Sequence, residues 1–188
     1  EAEGIAFYEL NISCPNVEEE GRCPALDPQS TYSIVSRVKK AARRPIMTKL
    51  SPNVTDITLI ARAAEEAGSD ALSLVNTFLG LAVDVETGRP KLSNVLGGLS
   101  GPAIKPLALR LVYQTVQAVS IPVIGIGGIV SGRDALEFLS VGAKAVEVGT
   151  ANFFDPQATR RIIQEVEEFC RAHKIRRIED YIGSFQIS

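Results

Sequence analysis

The side chains most able to do chemistry stand at the ends of short apolar runs. The first such end reads Glu9-Leu10-Asn11-Ile12-Ser13-Cys14-Pro15-Asn16. Side chains alternate across a strand, so Asn11 and Ser13 fall on one side, and Pro15 forces an extended turn that lifts Cys14 into the loop. A thiol there can serve as base or nucleophile once part of it ionises. Its free pKa is about 8.5, so only a few per cent is thiolate at neutral pH without help. Cys14 also fits the simpler part of a small buried apolar residue. The second end, Thr48-Lys49-Leu50-Ser51-Pro52-Asn53, sets a lysine inside an apolar strand. An unpaired ammonium is costly there, so Lys49 either points into a polar site, where it suits an electron-rich ring, or snorkels outward. The third end, Val75-Asn76-Thr77, supplies an amide and a hydroxyl.

Glycines mark the next ends. Gly97-Gly98-Leu99-Ser100-Gly101-Pro102 turns into a helix, Ile124-Gly125-Ile126-Gly127-Gly128-Ile129 follows a strand directly, and the next strand ends in Val148-Gly149-Thr150. Paired glycines after two successive strands let backbone N–H groups approach an anion, as in the phosphate cradle of the last two strands of a (β/α)8 barrel. Tight strand-to-helix turns alone would explain either pair singly. The spacing does not fit G-x-G-x-x-G, because the sixth position counted from Gly125 is Val130, and no acidic ribose partner is evident.

These ends need elements to hold them. Five apolar runs recur, Ile5 to Ile12, Pro45 to Leu50, Ala71 to Asn76, Pro122 to Ile126 and Ala143 to Val148, with amphipathic stretches of helical length between them. The alternation predicts βα units around a parallel sheet. A first helix follows Asp27-Pro28 with Tyr32, Ile34, Val35 and Val38 inward; a second follows Asn53, carries Ile57, Leu59, Ile60 and Ala64, and stops at Gly68. A third is opened by Pro102 and Pro106 and runs to about Val119. A fourth spans Gly132 to Val141, a long one starts at Pro156, and a short one covers Ile178 to Gly183. Residues 78–98 interrupt the rhythm as an inserted hairpin, a candidate lid or subunit contact on the catalytic face. The expectation is a single domain, 1–188, formed by about the last five units of a (β/α)8 TIM barrel. Five units cannot close an eight-unit barrel of about 250 residues, so an open doubly wound sheet is the competing architecture. The chain opens on Glu1 and is soon in an apolar run, which suggests that the beginning of the protein is missing.

Composition narrows the function classes. With 45% apolar and 22% charged residues and a formal net charge of -2, nothing calls for a nucleic acid or a membrane surface. Lys39, Lys40, Arg43 and Arg44 lie at a helix end, where they oppose its dipole. No apolar run reaches the ~20 residues of a membrane span and no signal peptide is evident, so a cytoplasmic protein is expected. The three cysteines, Cys14, Cys23 and Cys170, form no C-x-x-C, which suggests neither a disulfide framework nor a metal site, and the lone His173 is assigned no role.

In their order and spacing, ELNISCPN, KLSPNVTDI, NTFLG, GGLSGPAIKP, IGIGGI and VGTANF resemble the second half of the catalytic subunit of class 1B dihydroorotate dehydrogenases, from about Tyr8 through Pro156. The resemblance implies an FMN-linked barrel oxidising dihydroorotate to orotate in pyrimidine biosynthesis. Cys14 would take the C5 proton while hydride passes from C6 to FMN. Asn11 would touch both flavin and substrate, and Asn16, Asn76 and Thr77 would bind substrate. Lys49 would stand against the flavin ring, Val75 and Gly101 would line it, and Gly127, Gly128, Gly149 and Thr150 would hold its phosphate. A separate subunit carrying FAD and a [2Fe-2S] cluster would pass electrons to NAD, and the catalytic subunit would form a homodimer. One departure is Val17-Glu18-Glu19-Glu20, where the family usually shows lysine and small residues; carboxylates beside Cys14 would raise its pKa unless they point into solvent. A dihydropyrimidine dehydrogenase-like flavoenzyme and an inactive, partial barrel are the competing readings. The fumarate-using class fits the GGLSGPAIKP and GTANF wording less well.

Overall fold

The computed structural model describes residues 3–13 and 24–187. Cys14, Asn16, Glu18, Glu19, Glu20 and Cys23 lie outside the described residues. The strands are β1 (Tyr8–Asn11), β2 (Ile46–Lys49), β3 (Ala71–Leu74), β4 (Phe78–Leu81), β5 (Val83–Asp84), β6 (Arg89–Pro90), β7 (Leu96–Leu99), β8 (Val123–Ile126) and β9 (Ala145–Glu147). The α-helices are α1 (Pro28–Ala41), α2 (Ile57–Glu66), α3 (Lys105–Val116), α4 (Gly132–Ser140), α5 (Ala151–Phe154) and α6 (Ala158–Ala172).

Local chemistry starts and stops these helices. Asp27 caps α1 by accepting the Ser30 N–H at 2.8 Å, and Pro28 occupies the first turn, where a missing N–H does no harm. Asp56 caps α2 in the same way, and Ser131 and Asp134 form a reciprocal capping box on α4. Gly142 ends the α4 turn at φ +108°, a conformation that side-chain-bearing residues avoid.

Five strands form one parallel sheet in the order β1-β2-β3-β8-β9, so each strand of that sheet lies beside the one before it. Each helix in turn packs on its neighbour: α1 on α2, α2 on α3, α3 on α4, and α4 on α6. A doubly wound sheet reverses its strand order at a switch point and carries helices on both faces. Neither feature occurs among the described residues, and the arrangement is an arc of a (β/α)8 barrel.

The helix-covered face holds the core. Ile46 of β2, Leu72 and Leu74 of β3 and Val123 of β8 are buried with Val35, Ile60, Val112 and Phe138 from the helices. Two expected core residues are outside it, Tyr32 and Leu59, which are 48% and 55% exposed. In α1 the buried stripe is Thr31 and Val35, four apart, and Tyr32 is turned about 100° from it; in α2 the stripe is Ile57, Ile60, Ala61 and Ala64, which excludes Leu59. The expected strands are shorter at one or both ends, where the flanking residues leave the sheet ladder. The third helix ends at Val116 rather than near Val119. Pro156 does not begin the long helix, since α5 intervenes and α6 starts at Ala158.

The insertion is antiparallel: β4 pairs with β7 from Phe78 opposite Leu99 to Leu81 opposite Leu96, and β5 pairs with β6 near its tip. Among the described residues no helix is long and apolar enough to cross a membrane.

At Gly125 the sheet and the helix layer meet closely. A Cβ there would lie 2.5 Å from Cδ1 of Phe138, which is fully buried. Gly125→Ala should therefore lower stability by about 1–3 kcal/mol through overpacking. Urea unfolding checks this, and Phe138→Leu in the same chain should recover part of the loss.

Candidate functional site

Parallel pairing puts the carboxyl ends of all five sheet strands on one rim. The register holds there: Leu50 N–H donates to the Ser73 carbonyl at 2.9 Å, Asn76 N–H to Leu50 at 3.1 Å, and Val75 N–H to Ile126 at 2.9 Å. Above that rim opens a cleft of about 260 Å³. Lys49, Val75, Asn76 and Thr77 line one part of it; Gly101, Gly127, Gly128, Gly149 and Thr150 line the other. The residues singled out from β2 onward thus meet at one place. Asn11 is exposed and is not part of that lining.

At the glycine end, the glycines differ in what they are for. A Cβ on Gly127 would sit 2.6 Å from Cβ of Ala108, and one on Gly128, at φ +73°, would sit 2.8 Å from the Gly101 carbonyl and 2.9 Å from the Lys105 nitrogen. Close packing against the start of α3 is enough to require both. Gly149 has nothing within 4 Å of its Cβ position and faces the cleft. The amide N–H groups of Gly128, Ile129, Thr150 and Ala151 have no partner among the described residues, so two short rows of donors remain available to an anion. Thr150 Oγ1 donates to Ser100 Oγ at 2.9 Å, which ties the β9 turn to the Gly97–Gly101 turn.

At the polar end, a chain of hydrogen bonds crosses from β1 to β3. Ser13 Oγ donates to Asn11 Oδ1 at 2.8 Å, and Asn76 Nδ2 donates to Ser13 Oγ at 2.8 Å. Asn11 and Ser13 do share a side. Asn76 Oδ1 accepts the Thr77 N–H at 2.8 Å, so the amide of Asn76 is oriented from both ends. Asn53 pins the root of the inserted hairpin, donating to the Thr77 carbonyl and accepting the Leu79 N–H, each at 3.0 Å. The quoted KLSPN motif contains that residue, but sequence reading gave it no task.

Lys49 points onto the sheet face away from the helices. Its Nζ is 3.4 Å from Glu9 Oε2 and 3.8 Å from Glu147 Oε2, and Ser73 Oγ donates to Glu9 Oε1 at 2.5 Å. Two carboxylates around one ammonium leave a net negative charge when all are ionised. Burial, and then repulsion from Glu9, push the Glu147 carboxyl above its ordinary pKa, with Lys49 opposing them. Neither acid was singled out from sequence, although both lie on strands at positions that alternate into this face. Ser100, Ile104 and Phe153 also line the cleft and were likewise missed.

Comparison with known proteins gives the family. The family model described as dihydroorotate dehydrogenase matches residues 3–170. The chain is 54% identical over 98% of its length to "Dihydroorotate dehydrogenase B (NAD(+)), catalytic subunit" of Citrifermentans bemidjiense, and 52% identical over 100% of its length to the protein of the same name in Porphyromonas gingivalis. It is also 54% identical, over 97% of its length, to a Solibacter usitatus protein provisionally named dihydroorotate dehydrogenase A (fumarate). The chain spans 60%, 61% and 60% of those relatives, respectively. A crystal structure of DHODH from Eimeria tenella in complex with ferulenol superposes with a TM-score of 0.79 at 25% identity, covering 95% of this chain and 54% of that one. The chain belongs to the dihydroorotate dehydrogenase family.

Proposed function

We propose that the complete protein oxidises dihydroorotate to orotate with FMN as its resident flavin. The observation that carries this reading is the single cleft in which Lys49, Asn76 and Thr77 share a rim with the turns at Gly127-Gly128 and Gly149-Thr150. The residues fit the group. Free amides at one end suit a phosphate, Val75, Ile104 and Ile126 give an apolar wall for a ring, and Lys49 supplies a cation beside it.

When bound, FMN supplies the acceptor for hydride leaving C6 of the substrate. The chain's own residues do the rest. Cys14 removes the C5 proton; in the sequence it directly follows Ser13, which Asn76 holds. Asn16, Asn76 and Thr77 would bind the substrate, and Asn11 would contact both substrate and flavin. Lys49 favours negative charge in the ring beside it, an electrostatic contribution fixed before reaction, and Glu9 and Glu147 fix its position. Val75 and Gly101 border the ring; Gly127, Gly128, Gly149 and Thr150 receive the phosphate.

The electron acceptor is proposed to be a separate subunit with FAD and a [2Fe-2S] cluster that delivers to NAD, on the strength of relatives named as NAD(+) catalytic subunits. Identity alone does not separate the classes, because the fumarate-named relative is as similar as the first NAD-named one. Placement in the cytoplasm, a role in pyrimidine synthesis and a homodimer of catalytic subunits belong to the same proposal.

In the full-length enzyme, Cys14→Ser should slow anaerobic flavin reduction by dihydroorotate by about 10²–10⁴-fold and move its optimum to higher pH, since a hydroxyl is the weaker acid. Unchanged bleaching in a stopped-flow trace would remove Cys14 from the mechanism. Gly149→Ala should leave the urea midpoint where it is, because its methyl meets no protein atom, and should weaken FMN binding. The 188 residues expressed alone should not retain FMN, because β1 and β9 are the sheet's outer strands and, among the described residues, no element covers the Lys49 face. A yellow, monodisperse product from that expression would contradict this.

A further inference from the structure

We propose that Arg161 and Asp134 are positioning residues for the phosphate end of the cleft, acting through the backbone of Val130 and Ser131. The proposal rests on the reading that the glycine turns receive a flavin phosphate. Asp134 Oδ2 accepts the N–H groups of Val130 at 3.0 Å and Ser131 at 2.9 Å. Arg161 donates from both Nη1 and Nη2 to the Val130 carbonyl, each at 3.2 Å. The peptide joining Val130 to Ser131 is therefore gripped at its N–H from α4 and at its C=O from α6. It follows directly on Gly128 and Ile129, whose amides face the cleft without a partner among the described residues.

The same two side chains reach the other turns of the site. Asp134 Oδ1 accepts Lys105 Nζ at 2.7 Å, and Lys105 is the residue whose backbone nitrogen crowds Gly128. Arg161 Nη2 also donates to Asp155 Oδ2 at 3.0 Å, and Asp155 caps the end of α5, which starts at the cleft residue Ala151. Glu165 holds Arg161 Nη1 at 3.0 Å and accepts the Gly132 N–H. One guanidinium thus fixes the turn after β8 relative to the turn after β9, which sets the distance between the two rows of free amides.

Charge itself is not the device. Lys105 and Arg161 are surrounded by Asp134, Glu137, Asp155 and Glu165, so the network's own balance is negative and would not attract an anion. Fastening α6 to α4 is the simpler role, and it could be met anywhere along the two helices. Here the polar bonds converge on the backbone of one turn. Burial would raise the Asp134 carboxyl, but the bonds from Lys105, Val130 and Ser131 outweigh it and hold it below its ordinary pKa, so it stays ionised for this task at neutral pH.

The test uses full-length protein stripped of flavin and titrated separately with FMN and with riboflavin, which has the same ring and no phosphate, following quenching of flavin fluorescence. Wild type should prefer FMN strongly. Arg161→Met should weaken FMN by about tenfold, the usual scale for loss of an outer partner of a bound group, while riboflavin affinity stays unchanged. Arg161→Lys, which keeps the charge but cannot span Val130 and Asp155 together, should also lose preference for FMN. Equal proportional losses for both flavins, or no loss for either, would overturn the proposal by reducing the network to a structural clamp or a bystander. A wild type with no preference for FMN would instead sink the reading of the glycine turns, and this proposal with it.

Discussion

Parallel pairing in chain order governs everything else in this molecule. Because each sheet strand lies beside its predecessor and runs the same way, every βα turn emerges at the same edge. Residues far apart in sequence, such as Lys49 and Thr150, reach one cleft without any long-range motif to bring them together. The helices add the second half of the constraint. Among the described residues they cover one face, so the opposite face can carry Glu9, Lys49, Ser73 and Glu147, a polar set that a two-sided parallel sheet would bury at high cost.

Smallness and charge at the rim have separable causes. Gly127 and Gly128 are required by the backbone and side chains of α3 that press on them, whereas no protein atom requires Gly149 to be small. The cations also divide. Lys49 stands in the cleft between two carboxylates, while Lys105 and Arg161 serve the loops that shape it. A site of this kind is made by backbone amides whose placement depends on side chains that need not meet the ligand.

Much of this was legible in the sequence, for physical reasons that vary by residue. The five sheet strands declare themselves as apolar runs, and Asp27-Pro28 and Gly142 mark helix limits because capping and positive φ are local properties. The rim residues were legible because strand ends are where polar residues interrupt such runs. Tyr32 and Leu59 were misplaced because an apolar side chain beside a buried stripe has the same composition as one within it. Glu9, Glu147, Asp134 and Arg161 were overlooked because the partners that give them a task at the site lie on other elements, 29 residues away for Asp134 with Lys105, 31 for Arg161 with Val130 and 64 for Glu9 with Ser73. Choosing between an arc and a doubly wound sheet needed the strand order, which no local pattern encodes.

A crystal structure of the full-length protein with FMN and orotate tests the central claim most directly. The phosphate should lie within hydrogen-bond distance of the amides of Gly128 and Thr150, the isoalloxazine ring over Lys49, and Cys14 against C5 of orotate. Density placing the phosphate away from those two turns, or the ring on a different side of the sheet from Lys49, would contradict it.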